Sequence, residues 1–163
     1  MRRQRRPTWY RWLWITLGVV AIVSLGLWYH HIQSPLNTIR NQAEQIAKDR
    51  GKLTTIDDFY WYKHGQSYLA VSGQTAQQKS ILVLIRQKDG QVTLLNQKSG
   101  ISAATAQAQA KSAFKPRKVL DVALGKRKSQ VVWDVSFIDS QGKLGYVSYS
   151  FKTGNQVRAI RNI

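Results

Sequence analysis

The sequence predicts an α+β protein with an N-terminal transmembrane helix followed by two repeated units, each of which packs one helix on a four-stranded antiparallel sheet. Three observations support this fold class. An uncharged apolar run lies near the N-terminus. A helical pattern followed by four segments of alternating apolar and polar residues occurs twice. The two copies are 64 residues apart. The predicted segments are a basic tail at 1–11, a membrane helix at 12–29, and units at 32–98 and 99–163.

The apolar run predicts a membrane anchor. Residues 12–29 carry no charge, and at about 1.5 Å per residue they form roughly 27 Å of helix, enough to cross a bilayer core. Trp and Tyr border both ends, and five arginines in the first eleven residues place the N-terminus in the cytoplasm and the remainder outside the cell. The alternative is a cleaved signal peptide with Ser24 and Gly26 at the cleavage site. Bulky Trp28 and Tyr29 favour an uncleaved signal-anchor.

The charge predicts anionic partners. The chain carries a net charge of +17, of which residues 32–163 contribute +12. Such a field attracts phospholipid headgroups, anionic wall polymers or nucleic acid, although charge alone also gives solubility at an anionic envelope. The predicted extracellular location excludes nucleic acid. The chain has no cysteine, so its stability depends on packing rather than on disulfides, which favours a Gram-positive envelope.

The first unit begins with a predicted amphipathic helix at about 35–50. Ser34 and Pro35 are typical of a helix start, and Gly51 is placed to end it. The apolar period then changes to two, with turns at His64-Gly65-Gln66 and Asp89-Gly90. The predicted strands lie near 54–63, 67–75, 79–88 and 91–97.

The second unit repeats this order. Ser102 is a predicted N-cap for a helix that ends at Phe114, before Pro116. Turns are predicted at 139–142 and 153–154. The predicted strands lie near 117–125, 129–138, 143–152 and 155–161.

An ungapped shift of 64 residues indicates an internal duplication. Across 54–98 it gives nine identities, where roughly three are expected by chance. The turn glycines Gly90 and Gly154 coincide, and the inward-facing apolar positions of the two copies also correspond. These positions are Leu69 and Val71 with Trp133 and Val135, and Val83 and Ile85 with Val147 and Tyr149. The pattern therefore predicts that Trp133 is a core residue.

Several features resemble the TseB-like (YpmB-like) cell wall elongation regulators: the short basic tail, the single anchor helix, and the segments FYWYKHGQSYLAVSG and WDVSFIDSQGKLGYVSYSFKTGNQVR. The second segment also resembles a PepSY-type module, with Trp133 and Val135 on a strand and a closing turn at Phe151, Thr153 and Gly154. The resemblance implies tandem PepSY-like or cystatin-like units. It further implies a role in assisting a class B penicillin-binding protein of the lateral-wall machinery, and it implies no catalytic residue.

The residues available for catalysis are few. His30 and His31 lie at the predicted membrane edge, and His64 lies in a predicted turn. The pair Asp57-Asp58 falls on a strand, where neighbours point to opposite faces and do not converge. Motifs for a metal site, a nucleophile elbow or a phosphate-binding loop are absent from the sequence. The chain is therefore predicted not to be an enzyme, with no catalytic residue, no metal and no cofactor.

Two groups of residues are candidates for partner binding. In the aromatic cluster 59–62, alternation places Tyr60 and Tyr62 on one face of a strand, where exposed rings suit protein contacts. The alternative is that both faces are buried. The basic run Lys126, Arg127 and Lys128 lies in a predicted hairpin turn, where it could contact phosphates of lipid or wall polymer or remain solvated.

The leading functional hypothesis is a membrane-anchored extracellular regulator or adaptor of cell-wall elongation that binds a membrane-bound penicillin-binding protein. Confinement to the bilayer raises the effective concentration of such a partner. One alternative is a binding module for anionic wall polymer or lipid headgroups, based on the +12 charge of residues 32–163. Another is a peptidase inhibitor, suggested by the PepSY-like and cystatin-like resemblance.

Overall fold

The computed structural model describes the backbone of residues 9–161 and the side chains of residues 14, 15, 17–24 and 36–161. Residues 1–8 of the predicted basic tail lie outside the described residues. So do the side chains of 25–29, at the end of the predicted anchor. The chain divides into two compact units, Met1–Asn41 and Gln42–Ile163.

The first helix, α1, runs from Trp9 to Gly51. The predicted helix start at Ser34 and Pro35 is therefore wrong. The fixed φ of a proline fits a helix, and a helix can continue through it at the cost of one backbone hydrogen bond. Within the described part of the chain, no helix contains a segment that is long and apolar enough to span a membrane. The anchor at 12–29 stays a prediction.

The unit Gln42–Ile163 contains two antiparallel sheets, and each sheet has four strands arranged in chain order. The strands of the first sheet are β1 (Leu53–Tyr62), β2 (Tyr68–Thr75), β3 (Ser80–Arg86) and β4 (Val92–Asn96). A short 3₁₀ helix (Gln97–Ser99) and helix α2 (Ala103–Phe114) follow. The strands of the second sheet are β5 (Lys118–Arg127), β6 (Gln130–Ile138), β7 (Leu144–Ser150) and β8 (Gln156–Ile160). The predicted α+β class with two four-stranded antiparallel sheets is confirmed.

Local signals in the sequence explain these elements. Ser102 caps α2, since its hydroxyl oxygen accepts a hydrogen bond from the Thr105 backbone N–H at 3.1 Å. Lys115 closes the helix in the left-handed conformation with φ of 43°. Gly90 and Gly154 have φ of 69° and 74°, which side-chain-bearing residues rarely adopt, so the matched turn glycines have matched conformations.

The second sheet packs against α2 on one face. Trp133 is 1% exposed, and its indole N–H donates to the Ile101 carbonyl oxygen at 2.9 Å. The rings of Phe114 and Phe137 stack at 5.2 Å between centroids. The predicted inward positions of both copies are buried; they are Leu69, Val71, Val83, Ile85, Trp133, Val135, Val147 and Tyr149. In the first sheet the intervening residues are buried too, so burial does not distinguish its two faces; they are Tyr68, Ala70, Leu82 and Leu84.

The two sheets meet at their first strands, because β1 and β2 both contact β5. The ring of Tyr62 lies directly on Gly125: a Cβ placed on this glycine would be 2.2 Å from Tyr62 Cγ. Tyr60 packs edge-on against Trp133, with ring centroids 5.1 Å apart. These aromatic contacts join the two halves into one core.

The expectation that Tyr62 presents its ring outward is wrong. Tyr62 is 0% exposed, because the second sheet covers the side of β1 on which the ring lies. Tyr60, on the same side, is half-buried. Phe59 and Trp61 point to the other side of β1 and are also half-buried. Alternation identified the pairs correctly, but it could not show which pair the second sheet would cover.

We expect Trp133→Ala to lower the free energy of unfolding by about 3 to 5 kcal/mol, since it removes a buried ring and leaves a cavity. Tyr62→Ala should cost a similar amount, because that ring is also fully buried. Val157→Ala, at a 41% exposed position on β8, serves as the control and should cost under about 1 kcal/mol. Denaturant unfolding measures all three. A Trp133→Ala protein as stable as the parent chain would contradict this core.

Candidate functional site

A cleft of about 490 Å³ opens where β1 meets the second sheet. The residues that line this carboxylate cleft are Phe59, Trp61, Lys63, His64, Asp121, Ala123, Asp134, Ser136 and Tyr146. Strand register places Asp121, Asp134, Ser136 and Tyr146 on the face of the second sheet opposite Trp133. One sheet thus contributes aromatic rings and a turn, and the other contributes carboxylates and hydroxyls.

Asp134 is the buried charge of the cleft. Its side chain is 4% exposed, and its Oδ2 lies 3.4 Å from His64 Nδ1 and 3.6 Å from Arg127 Nη2. Three buried polar atoms at this position have no hydrogen-bond partner within the described part of the chain: Asp134 Oδ1, Arg127 Nε and the Tyr62 hydroxyl. Leaving a buried polar group unpaired costs about 1 to 3 kcal/mol. Of these residues only Asp134 lines the cleft, so the base of the cleft has an unused hydrogen-bond acceptor.

Ring contacts hold the walls of the cleft in place. His64 lies edge-on to Tyr146 at 4.6 Å and to Tyr62 at 5.8 Å between ring centroids. The Trp61 indole N–H donates to Ser67 Oγ at 3.1 Å, and Lys63 Nζ lies 3.9 Å from the centre of the Trp61 ring. The walls are thus set before any ligand enters.

The charges around the cleft are balanced. Partial burial raises the pKa of Asp121 above its ordinary value, while the nearby positive charge of Lys63 acts in the opposite direction. The two carboxylates, Asp121 and Asp134, face two permanent cations, Lys63 and Arg127. The cleft therefore differs from the chain as a whole, which has a net charge of +17.

A second hollow, of about 520 Å³, lies beside the β5–β6 turn. The residues that line this basic recess are Leu95, Ser99, Ser129, Gln130, Val131, Ser150, Phe151, Lys152 and Thr153. Lys128 is exposed in the adjoining turn, with φ of 55°. Apolar side chains from both sheets thus meet in a hollow that lysines border.

The predicted partner-binding residues are distributed between these surfaces. Lys126 and Arg127 belong to β5 rather than to the turn; Lys126 Nζ donates to Thr93 Oγ1 at 2.9 Å, and Arg127 faces Asp134. Lys128 is the exposed member of the run. Burial of Tyr62 excludes direct contact with a partner in this fold. For the other residues of the set, partner binding stays a prediction.

Tyr60 lies away from both hollows. Its hydroxyl donates to the Asp58 carboxylate at 3.3 Å. Burial, followed by the negative charge of Asp58, raises the pKa of Tyr60 to about 12. It borders a smaller cavity of about 290 Å³ that also includes the N-terminus of α2. The ring is thus half-buried and keeps its proton at physiological pH.

Sequence reasoning missed Asp134, Asp121 and His64 as site residues. Strand alternation puts Asp134 on the face opposite Trp133, and Asp134 is buried there beside His64 and the end of β1. One signal was present: a carboxylate between Trp133 and Val135, in the middle of an apolar strand, requires a partner.

No group of three or more His, Cys, Asp or Glu side chains that could hold a metal ion occurs among the residues that the structure describes. The aromatic rings and paired charges instead suit non-covalent binding. The absence of a metal, a cofactor and a catalytic activity stays a prediction.

The fold defines the class of protein: an α+β protein with two four-stranded antiparallel sheets. Residues 42–86, which run from the end of α1 through β3, match a family model described as "Cell wall elongation regulator TseB-like domain". Among solved structures, the YpmB protein from Bacillus subtilis matches with a TM-score of 0.63 and 21% sequence identity, over 74% of this chain and 95% of that one. No curated protein sequence matches. The family-model match confirms the resemblance to the TseB-like (YpmB-like) family seen in the sequence, and the match to the solved structure shows a shared fold.

We expect Asp121→Asn to raise the melting temperature at about pH 7 and to leave it unchanged near pH 3. Folding raises the pKa of the Asp121 carboxyl. The carboxyl therefore contributes fully to stability below its ordinary pKa of about 3.9, and this contribution is lost as the pH rises through its pKa in the folded protein. Asparagine does not ionise and avoids this loss.

Thermal melts across this pH range, with Asp57→Asn as a matched control, measure the effect. A variant that melts below the parent chain at neutral pH would contradict the assigned direction of the pKa shift.

Proposed function

We propose that the chain is a membrane-anchored extracellular regulator of cell-wall elongation that binds a membrane-bound penicillin-binding protein. The description of the matching family model supports the regulatory role. The observation that carries the binding role is the basic recess, an apolar hollow bordered by lysines.

The exposed apolar surface of α1 supports the membrane anchor. All the described side chains within 14–24 are exposed, and Trp14 and Ile22 are each 71% exposed. Such side chains are stabilised by a hydrocarbon environment. The five arginines of the N-terminal tail favour a cytoplasmic N-terminus and so support an extracellular location for the unit Gln42–Ile163.

The chemistry of the basic recess suits a protein partner. Leu95 and Val131 are half-buried and Phe151 is buried, so an apolar side chain of the partner would complete their packing. Lys128 and Lys152 are exposed at the border and favour acidic groups around that side chain. Tethering both proteins in one membrane raises their effective concentration, so a small contact of this kind is sufficient.

The same lysines favour one alternative function, binding of an anionic wall polymer. The two functions differ in their response to salt. A polymer held by counterion release loses affinity steeply as ionic strength rises, whereas a protein contact with an apolar centre loses much less.

We expect a photo-crosslinking residue at Gln130, which lines the basic recess, to capture a penicillin-binding protein in intact cells. The matched control is Gln141, also an exposed glutamine, beyond the opposite end of β6 and about 30 Å away at roughly 3.3 Å per residue. Lys128→Glu combined with Lys152→Glu should reduce capture at Gln130 several-fold by reversing the charge of the border.

Mass spectrometry identifies the captured protein. Equal capture from both positions, or no penicillin-binding protein from Gln130, would contradict the proposal. Crosslinks to a polymer that disappear at high salt would favour the alternative function.

A further inference from the structure

We propose that the carboxylate cleft is a second, separate binding site, and that it takes an uncharged sugar ring of a glycan chain. The partner protein proposed above contacts the basic recess, so this site does not depend on that proposal. Three properties of the cleft select the ligand: an unpaired carboxylate oxygen at its base, aromatic walls and balanced charge.

The unpaired carboxylate oxygen requires a ligand that donates a hydrogen bond. Asp134 Oδ1 accepts, and the Ser136 hydroxyl in the same lining both donates and accepts. Asp134 is more than nine-tenths buried and lines the cleft, so a group that reaches it pairs an atom that is otherwise unpaired. A sugar hydroxyl donates and accepts through one atom, and neighbouring hydroxyls on a ring can pair several such groups. Ser136 and Asp121 provide further partners nearer the opening.

The walls provide apolar surface for the other part of a sugar. A pyranose ring has C–H groups on its faces as well as hydroxyls at its edge, and the C–H faces pack against aromatic rings. Phe59, Trp61 and Tyr146 supply such rings around the cleft. The volume of about 490 Å³ falls in the range of small-ligand sites. Contacts of His64 and Ser67 already fix the rings, which lowers the entropy lost on binding.

Charge balance separates this ligand from the charged alternatives. Asp121 and Asp134 repel a phosphate-bearing polymer, which the basic recess attracts instead. Lys63 already lies on the Trp61 ring, and Arg127 already faces Asp134, so a cationic ligand would have to compete with both. An uncharged polar ligand is not repelled by the carboxylates and does not compete with Lys63 or Arg127.

The test measures binding of two uncharged tetrasaccharides, chitotetraose and cellotetraose, to the full-length chain in detergent micelles by isothermal titration calorimetry. We expect at least one to bind, with an affinity that changes little between about 50 mM and about 500 mM salt, because no counterions are released. Inorganic polyphosphate is the anionic comparison and spermidine the cationic one. Partner proteins are absent from the assay, so its result and that of the crosslinking experiment are independent.

Two matched substitutions locate the site. Asp121→Asn removes one charge at the rim of the cleft and should weaken tetrasaccharide binding about tenfold, or roughly 1.4 kcal/mol. Asp57→Asn makes the same change beside the cavity at the N-terminus of α2 and should leave binding unchanged. Asp134→Asn should weaken binding further, and circular dichroism checks that this variant is folded. If the Asp134→Asn protein is not folded, the result for Asp121→Asn decides the outcome.

Failure of both tetrasaccharides to bind would overturn the proposal. So would tighter binding of polyphosphate or spermidine than of either sugar, or an equal effect of the Asp57 and Asp121 substitutions. Binding that Asp121→Asn weakens and Asp57→Asn does not would establish the cleft as the site.

Discussion

The contact between Tyr62 and Gly125 is the interaction on which the arrangement of the two sheets depends. Each sheet forms its own antiparallel ladder, and no strand pairs across from one sheet to the other. What joins them is side-chain packing, and the Tyr62 ring reaches the second sheet because Gly125 has no side chain. Full burial of a ring of this size contributes about 1.5 to 3 kcal/mol by area. One glycine in β5 thus sets how closely the halves approach.

Both candidate surfaces follow from this junction. Where β1 lies against the second sheet, Phe59 and Trp61 come to face Asp134 and Ser136, and the carboxylate cleft results. Where β4 lies beside the β5–β6 hairpin, Lys126 bonds Thr93, and the basic recess forms with Leu95 on one side. Neither hollow belongs to one half alone. The two halves together therefore form two different surfaces, one charge-balanced and one basic.

The elements that the sequence predicted well are those with local signals. Ser102 marks the start of α2, and the segment before Pro116 marks its end. The turns at Gly90 and Gly154 need backbone conformations that few residues other than glycine adopt. The burial of Trp133 followed from strand alternation, which depends only on its neighbours along the chain.

The junction could not be predicted, because it depends on contacts between residues far apart in sequence. Alternation gives two faces of β1, but nothing near Tyr62 indicates that Gly125, more than 60 residues later, leaves room for its ring. For the same reason nothing near Asp134 in the sequence predicts that its carboxylate is buried. The start of α1 was missed because a Ser-Pro pair favours a helix start, whereas here the helix continues through Pro35 in spite of the lost backbone hydrogen bond.

A double-mutant cycle on Gly125 and Tyr62 tests this junction most directly. The free energies of unfolding are measured by urea denaturation of the full-length chain in detergent, with a stabilising osmolyte present throughout. In the parent chain, Gly125→Ala should cost about 1 to 3 kcal/mol or more, because the added methyl group collides with the ring. In a Tyr62→Ala background the collision is absent, and the same substitution should be close to neutral, within about 0.5 kcal/mol. An equal cost in both backgrounds would show that the ring does not rest on Gly125, and would contradict the proposed origin of both surfaces.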